Sequence, residues 1–341
     1  MNDFSYTQAR DVSQAIGEMR DRSGANTKVI AGGTNLVDLM KYHVTSADRL
    51  VDLNRIPEHH DIKELEDGGV RLGAFVTNAD TAYHPLIEQR YPLLAQAILA
   101  GASAQIRNMA TNGGNLLQRT RCHYFYDIHT PCNKRRPGSG CPAIGGCNRM
   151  MAILGASDQC IAVFPSDMCV ALAALEAVVR VSGPAGDRAL PFAHFHRLPG
   201  ETPQRDNNLQ QGEIITGIDL PPRGFETNYS YLKLRDRSSY AFALVSVATG
   251  LELGEGVIKQ ARLALGGVAH KPWRVPAAEE LLVGKAPTRG HFELAAEMIL
   301  HGAHGYGHNE FKIELAHRAI VRNCLMALDP ASHRPGAQPS L

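Results

Sequence analysis

The chain has 341 residues, 44% of them hydrophobic and 20% charged, which is ordinary globular composition and length enough for two domains with substantial cores. Its 35 basic and 34 acidic residues nearly cancel, so neither nucleic acid nor an anionic membrane surface is indicated as a partner. No apolar run approaches the ~20 residues of a membrane span, and no membrane insertion is expected.

Apolar residues at helical spacing (Ala9, Val12, Ala15, Ile16, Met19) predict a first helix from Tyr6 to Arg22. Lys28 to Ala31 reads as a short strand ending in the turn Gly32-Gly33-Thr34-Asn35, after which Leu36, Leu39 and Met40 resume helical spacing. Leu50–Leu53 and Val70–Phe75 read as strands, Tyr91–Ala102 as a helix, and Thr111-Asn112-Gly113-Gly114-Asn115 as a second glycine turn. From Arg121 to Asp158 the periodicity breaks, in a stretch with Pro131, Pro137, Pro142 and four cysteines. That is too long for an ordinary connector. A helix from Ser166 to Val178, with Ser166 as N-cap, leads into a strand-rich stretch. The sequence Pro221-Pro222-Arg223-Gly224 marks a domain boundary. Beyond it, strands are predicted at Tyr229–Leu234, Ala241–Leu251 and Gln260–Val268, and covering helices at Phe292–His301 and Phe311–Leu328. Residues 331–341 read as a flexible tail.

Two glycine turns are candidates to cradle a phosphate, because glycine permits positive φ and leaves backbone N–H groups open to close approach. Neither matches G-x-G-x-x-G or a Walker loop, and each could be a tight structural turn. The seven cysteines do not read as a secreted disulfide framework, since five crowd between Cys122 and Cys160. No C-x-x-C pair occurs, which disfavours a zinc ribbon, and no ferredoxin run is present. Spacing alone leaves zinc and a four-iron cluster both open. Cys169 and Cys324 lie in apolar helices and read as core residues, whereas Cys147 is ambiguous. The run Lys134-Arg135-Arg136 reads as a solvated loop face or a partner contact, with tuning of a nearby cluster as the alternative. Lys233 with Arg235-Asp236-Arg237 reads as a solvated strand edge, and His270-Lys271-Pro272-Trp273-Arg274 as a turn packed by its aromatic.

In combination these motifs resemble the FAD-binding subunits of the xanthine dehydrogenase family of molybdenum hydroxylases. The residues are Ala31-Gly32-Gly33-Thr34-Asn35-Leu36, Ile106-Arg107-Asn108 with Thr111 to Leu116, Pro165-Ser166-Asp167, and Leu265-Gly266-Gly267-Val268-Ala269. Arg119-Thr120-Arg121-Cys122 and Pro131-Cys132-Asn133-Lys134-Arg135 resemble the subset with an inserted four-iron cluster, which includes hydroxybenzoyl-CoA reductase and, more closely, the periplasmic aromatic-aldehyde oxidoreductases of bacteria.

The resemblance implies an α+β fold. Residues 1–223 would form an FAD-binding domain of the vanillyl-alcohol-oxidase (PCMH) type, with a cysteine-rich insertion at about 119–160, and residues 224–330 a smaller α+β domain like that of CO dehydrogenase flavoproteins. It implies FAD held by Lys28, Val29, Ile30, Ala31, Gly32, Gly33, Thr34, Asn35 and Leu36, with Thr111, Gly113, Gly114 and Asn115 beside the pyrophosphate and Asp167 and Lys233 on the flavin side. A [4Fe-4S] cluster would take Cys122, Cys132, Cys141 and Cys160, but not Cys147. No residue of this chain would act on the organic substrate. The implied partners are a molybdenum-cofactor catalytic subunit, a [2Fe-2S] subunit and an external electron acceptor. The opening residues show no export signal, so the expected compartment is the cytoplasm unless a signal-bearing partner carries the complex to the periplasm. Two other readings remain at this point: a self-contained flavin oxidoreductase and a zinc-stapled binding module.

Overall fold

The computed structural model describes residues 1–20 and 25–333. Three short strands, β1 (Ser5–Gln8), β2 (Thr27–Ile30) and β3 (Arg49–Asp52), form a parallel sheet in the order β1-β3-β2. A helix, Val12–Met19, crosses from β1 to β2, as parallel pairing requires. The single helix expected over Tyr6–Arg22 is therefore interrupted. Tyr6 and Thr7, residues suited to a strand, pair with Leu50 and Val51 of β3. Asp11 then starts the helix by accepting from Gln14 N–H at 2.7 Å. Residues 21 and 22 of that expectation lie outside the described residues.

The second sheet is antiparallel and contains β4 (Ile62–Glu64), β5 (Val70–Gly73), β6 (Val178–Gly183), β7 (Gly186–Pro191) and β8 (Ile214–Leu220), in the order β4-β5-β8-β6-β7. Its central strand β8 is buried along its whole length. Helices Pro92–Ala100 and Asp167–Ala174 share one core with this sheet, and both are apolar on nearly every side. The second ends four residues short of Val178, because Glu176 takes a positive φ of 53° and turns the chain into β6.

The third sheet is also antiparallel: β9 (Asn228–Leu234), β10 (Val245–Gly254), β11 (Val257–Gly266) and β12 (Trp273–Arg274), in the order β12-β11-β10-β9. Helices Arg289–Ile299 and Phe311–Leu328 bury Phe292, Ile299 and Ile320 in a second core with Val245, Val247 and Leu263 of this sheet. A seven-residue helix, Pro276–Leu282, was not foreseen, since it is too short to show a period of its own. Pro330–His333 is a 3-10 turn, and residues 334–341 of the expected tail lie outside the described residues.

The cysteine-rich segment lies between these bodies and is anchored from the C-terminal side. Asn148 donates to Tyr306 O (2.6 Å), and Asn309 donates to Met151 O (3.2 Å) and Ala152 O (3.0 Å). Lys312, with no exposed surface, donates to Met151 O (2.7 Å) and Gly267 O (2.6 Å). Burial, with a smaller push from the charge of Arg149, brings its pKa down to about 7.

Asn323 ties the long helix to the third sheet, donating to Ser230 O and Val247 O (3.0 Å each) and to Thr249 Oγ1 (2.7 Å) from a fully buried position. Asn323→Leu would remove these three bonds from a buried site, and should lower stability by about 1–3 kcal/mol. Urea unfolding of the two proteins checks this.

Candidate functional site

The loop after β2 leaves its amides free. Ala31 O accepts from Asn54 Nδ2 (3.0 Å), Gly33 O from Val37 N–H (3.0 Å) and Asn35 O from Leu39 N–H (3.1 Å). By contrast, no acceptor among the described residues faces the N–H groups of Gly32, Gly33, Thr34 and Asn35. Four successive free donors at a turn into a helix suit a phosphate or pyrophosphate. Gly33 sits at φ +70°, and a Cβ on Gly32 would overlap the carbonyl of Met109. Lys28, Val29 and Ile30 form the strand leading in, and Leu36 opens the helix leading out. Lys28 is partly buried, which lowers its ammonium pKa, and the nearby charge of Arg119 lowers it further.

The second glycine turn is different. Residues Asn112–Leu116 form a single helical turn capped by Thr111, and every amide in it is engaged. Asn112 N–H donates to Val76 O (3.0 Å), Gly113 N–H to Ala74 O (2.8 Å), Gly114 N–H to Thr111 Oγ1 (3.2 Å) and Asn115 N–H to Thr111 O (2.8 Å). A Cβ on Gly113 would press on Ala74 and Ile215. These glycines serve packing, and the expected row of free amides beside the pyrophosphate is absent from residues 112–115. The turn still borders the first loop, because Met109 and Ala110 lie directly against Gly32.

Asp167 and Lys233 come together as a buried ion pair, Lys233 Nζ to Asp167 Oδ2 at 2.8 Å. Tyr231 OH donates to the other carboxylate oxygen at 2.7 Å, and Lys233 also donates to Ala100 O at 3.1 Å. Lys233 is therefore not on a solvated strand edge. It joins β9 to two helices of the first core.

Cys122, Cys132, Cys141 and Cys160 line one cavity, with Phe125 and Ala143 among the apolar groups around them. Cys147 is exposed and is not part of that lining. The four thiols do not converge on a point, and among the described residues no three His, Cys, Asp or Glu side chains are placed to hold one metal ion. Burial pushes the Cys122 thiol up to about 11. Hydrogen bonding between the Cys141 and Cys160 thiols lowers Cys141 and raises Cys160, and burial raises Cys160 further. The cavity adjoins the free-amide loop. Leu39 packs in the cysteine cluster, Asn35 Oδ1 accepts from Arg119 N–H (2.8 Å), and Asn35 Nδ2 donates to Tyr126 OH (3.4 Å).

The basic run inside this segment has three separate fates. Lys134 is buried with all its donors used, on Asp206, on Pro203 O (2.8 Å) and on His270 Nε2 (2.7 Å). Arg135 donates to the carbonyls of Tyr124, Asp127, Ile128 and Thr130, folding its own loop. Only Arg136 is exposed. The expectation of a solvated face is corrected at Lys134. Its partner Asp206 lies 72 residues away in a loop that carries no sequence signal.

Residues 2–223 match the family described as FAD binding domain in molybdopterin dehydrogenase, and residues 229–327 the CO dehydrogenase flavoprotein C-terminal domain. This chain is an FAD-binding medium subunit of the molybdenum hydroxylase family. It is 45% identical over 323 residues to the aldehyde oxidoreductase FAD-binding subunit PaoB of Escherichia coli (strain K12), covering 94% of this chain and 97% of the other. The carbon monoxide dehydrogenase medium chain of Hydrogenophaga pseudoflava is 26% identical, with 87% of this chain and 86% of the other covered. In fold, the chain superposes on the solved carbon monoxide dehydrogenase of that organism with a TM-score of 0.74 at 26% identity, over 96% of this chain and 97% of the other. The fold is the expected α+β pairing of a PCMH-type FAD domain with a CO-dehydrogenase-flavoprotein-like domain. Membership sets aside the zinc-stapled binding module, and its cofactor is FAD. No described helix is long and apolar enough to cross a membrane.

Two outcomes follow. Gly33→Val imposes a branched side chain on a positive φ, at a cost of about 1–2 kcal/mol or more. It should sharply reduce flavin per chain while far-UV circular dichroism stays native. Lys233→Met strands Asp167 in a buried site and should cost about 3–5 kcal/mol in urea unfolding, with Asp167→Asn in the same chain restoring most of the loss.

Proposed function

We propose that this subunit holds FAD and a [4Fe-4S] cluster and passes electrons from the molybdenum and [2Fe-2S] subunits of a heteromeric aldehyde oxidoreductase to an external acceptor. The observation that carries the reading is the gathering of four cysteines in one buried cavity against the free-amide loop. A single zinc would draw all four sulfurs to about 2.3 Å from one centre. A four-iron cube puts each sulfur on a separate iron, so it can take four thiols spread around the lining of one cavity.

Within this reading the chain's own residues bind and insulate. The N–H groups of Gly32 to Asn35 hold the pyrophosphate, with Lys28, Val29, Ile30, Ala31 and Leu36 forming the walls of that loop. Thr111, Gly113, Gly114 and Asn115 support it from behind, and Asp167 with Lys233 fixes the helix start on the flavin side. Cys122, Cys132, Cys141 and Cys160 ligate the cluster. FAD, when bound, can accept electrons singly and release them in pairs, and the protein's part is to hold and tune it.

No residue here is assigned to act on the organic substrate, and the similarity to an aldehyde oxidoreductase subunit at 45% identity favours an aldehyde as the substrate of the complex. A hydroxybenzoyl-CoA-reductase-like or xanthine-dehydrogenase-like complex is the second reading, because FAD subunits named for xanthine dehydrogenase also match at 26% identity. Residues 1–223 and 224–330 are taken as two domains on the support of two apolar cores, each drawn mainly from one segment, although Tyr231, Ala248 and Ala264 pack in the first core and Ile153 and Leu154 in the second. The complex would contain three kinds of subunit, and a signal-bearing partner would carry it to the periplasm.

Chain purified anaerobically should contain FAD together with iron and acid-labile sulfide near four of each, about the content of one cluster. Replacing Cys122, Cys132, Cys141 or Cys160 by Ser should abolish or convert the cluster, whereas Cys147→Ser should leave iron and sulfide unchanged. Stoichiometric zinc without sulfide would remove the cluster from the proposal and leave the flavin.

A further inference from the structure

Lys134 is an unusual residue to find beside a cavity of thiols. Its side chain is only 1% exposed, it lines the cysteine cavity, and it follows Cys132 by two positions. Burying an ammonium is costly unless each proton finds an acceptor, and here each does: Asp206, Pro203 O and His270 Nε2. His270 is held neutral by burial and by the charge of Lys134, which bring its pKa down to about 4. Its Nε2 can therefore accept from Lys134 while Nδ1–H donates to Arg197 O at 3.0 Å. None of the three Lys134 protons is left for a sulfur, so any influence on the cysteines passes through its field.

The charges around that ammonium do not cancel. Asp206 is shared with a second cation, Arg119 Nε at 2.7 Å, whose guanidinium lies over the Phe125 ring at 4.7 Å. Two cations thus face one carboxylate, an excess of one positive charge, and of the three only Lys134 is fully withdrawn from solvent, where its charge is weakly screened, while Arg119 and Asp206 are partly exposed. Burial alone would raise Asp206, but the charges of Lys134 and Arg119 bring it to about 2, so it is ionised at any working pH. Arg119 also reaches the flavin loop through its N–H to Asn35.

We propose that Lys134 is the buried cation that sets the reduction potential of the cysteine-held cluster, with Asp206 as the counter-charge that limits its effect. This rests on the four-iron reading above. Reduction would place one added electron on the cluster that the four cysteines would hold, and a fixed cation beside it would favour the reduced state and raise the potential. The exposed Arg136 of the same run, screened by water and salt, contributes little.

The test is an EPR-monitored redox titration of the full chain, purified anaerobically and reduced one electron at a time with dithionite. FAD, iron and sulfide are measured in every sample. Lys134→Met should move the cluster midpoint to a more negative potential. Asp206→Asn should move it the other way, the double substitution should return it close to the starting value, and Arg136→Gln should not move it. A merely structural network would not give shifts of opposite sign. Unchanged midpoints with full iron and sulfide overturn the tuning role and leave the cluster reading intact. An unsubstituted chain without iron and sulfide overturns the cluster reading first. If Lys134→Met loses its cluster, Asp206→Asn decides: a rise supports the proposal, and no shift or loss of the cluster there too assigns the network to folding.

Discussion

The backbone of Gly32 rests against the carbonyl of Met109 with no room for a Cβ between them, and much of the site depends on that contact. It brings the loop after β2 onto the segment that leads into Thr111–Leu116, so two stretches some 80 positions apart form one surface. The second stretch is rigid because its amides are all engaged with Val76, Ala74 and Thr111. The first can then keep its own amides unmet, because its carbonyls are fixed by Asn54, Val37 and Leu39. A row of free donors is stable only where the chain around it cannot rearrange to satisfy them. The loop is thus preorganised for an anion before one arrives.

Features set by local pattern were legible in the sequence. The strand, turn and helix around Gly32-Gly33 follow from an apolar run, two glycines and resumed helical spacing, and they appear as Thr27–Ile30 and Leu36–Lys41. The three long strands of the third sheet and the helix Phe311–Leu328 were also legible, as apolar runs of strand and helix length, whereas the two-residue strand Trp273–Arg274 read as a turn. What failed was discrimination between look-alikes. Thr111-Asn112-Gly113-Gly114 has the composition of a phosphate loop, yet its amides are engaged within the protein and Gly113 packs on Ala74 and Ile215. Composition tells that a glycine is needed and not what approaches it. Lys233 and Asp167 could each be named through the resemblance, but their pairing across 66 positions is a tertiary fact.

The run Lys134-Arg135-Arg136 shows the same limit. Three adjacent cations look alike in sequence, and the fold gives them a buried ion pair, a carbonyl clamp and a solvent position. What distinguishes them is the direction each side chain leaves a loop with no regular period, together with the identity of a distant acceptor. The cysteines were countable from the sequence, whereas their shared cavity, the exposure of Cys147 and the tie from Asn35 to Arg119 and Tyr126 required the three-dimensional arrangement.

The clamp on the end of the cysteine segment has a consequence for the order of events during synthesis. Met151 O receives the Lys312 ammonium 161 residues later in the chain. At about 5–20 residues per second, the ribosome adds that length in on the order of 10–30 s. Throughout that interval all the cysteines from Cys122 to Cys160 have emerged or are emerging, but the helix that closes their loop does not yet exist. The thiols are therefore exposed as a nascent, open loop before they become a walled cavity. The ties at Asn148, Asn309 and Lys312, which hold the end of that loop, form only after the interval has passed.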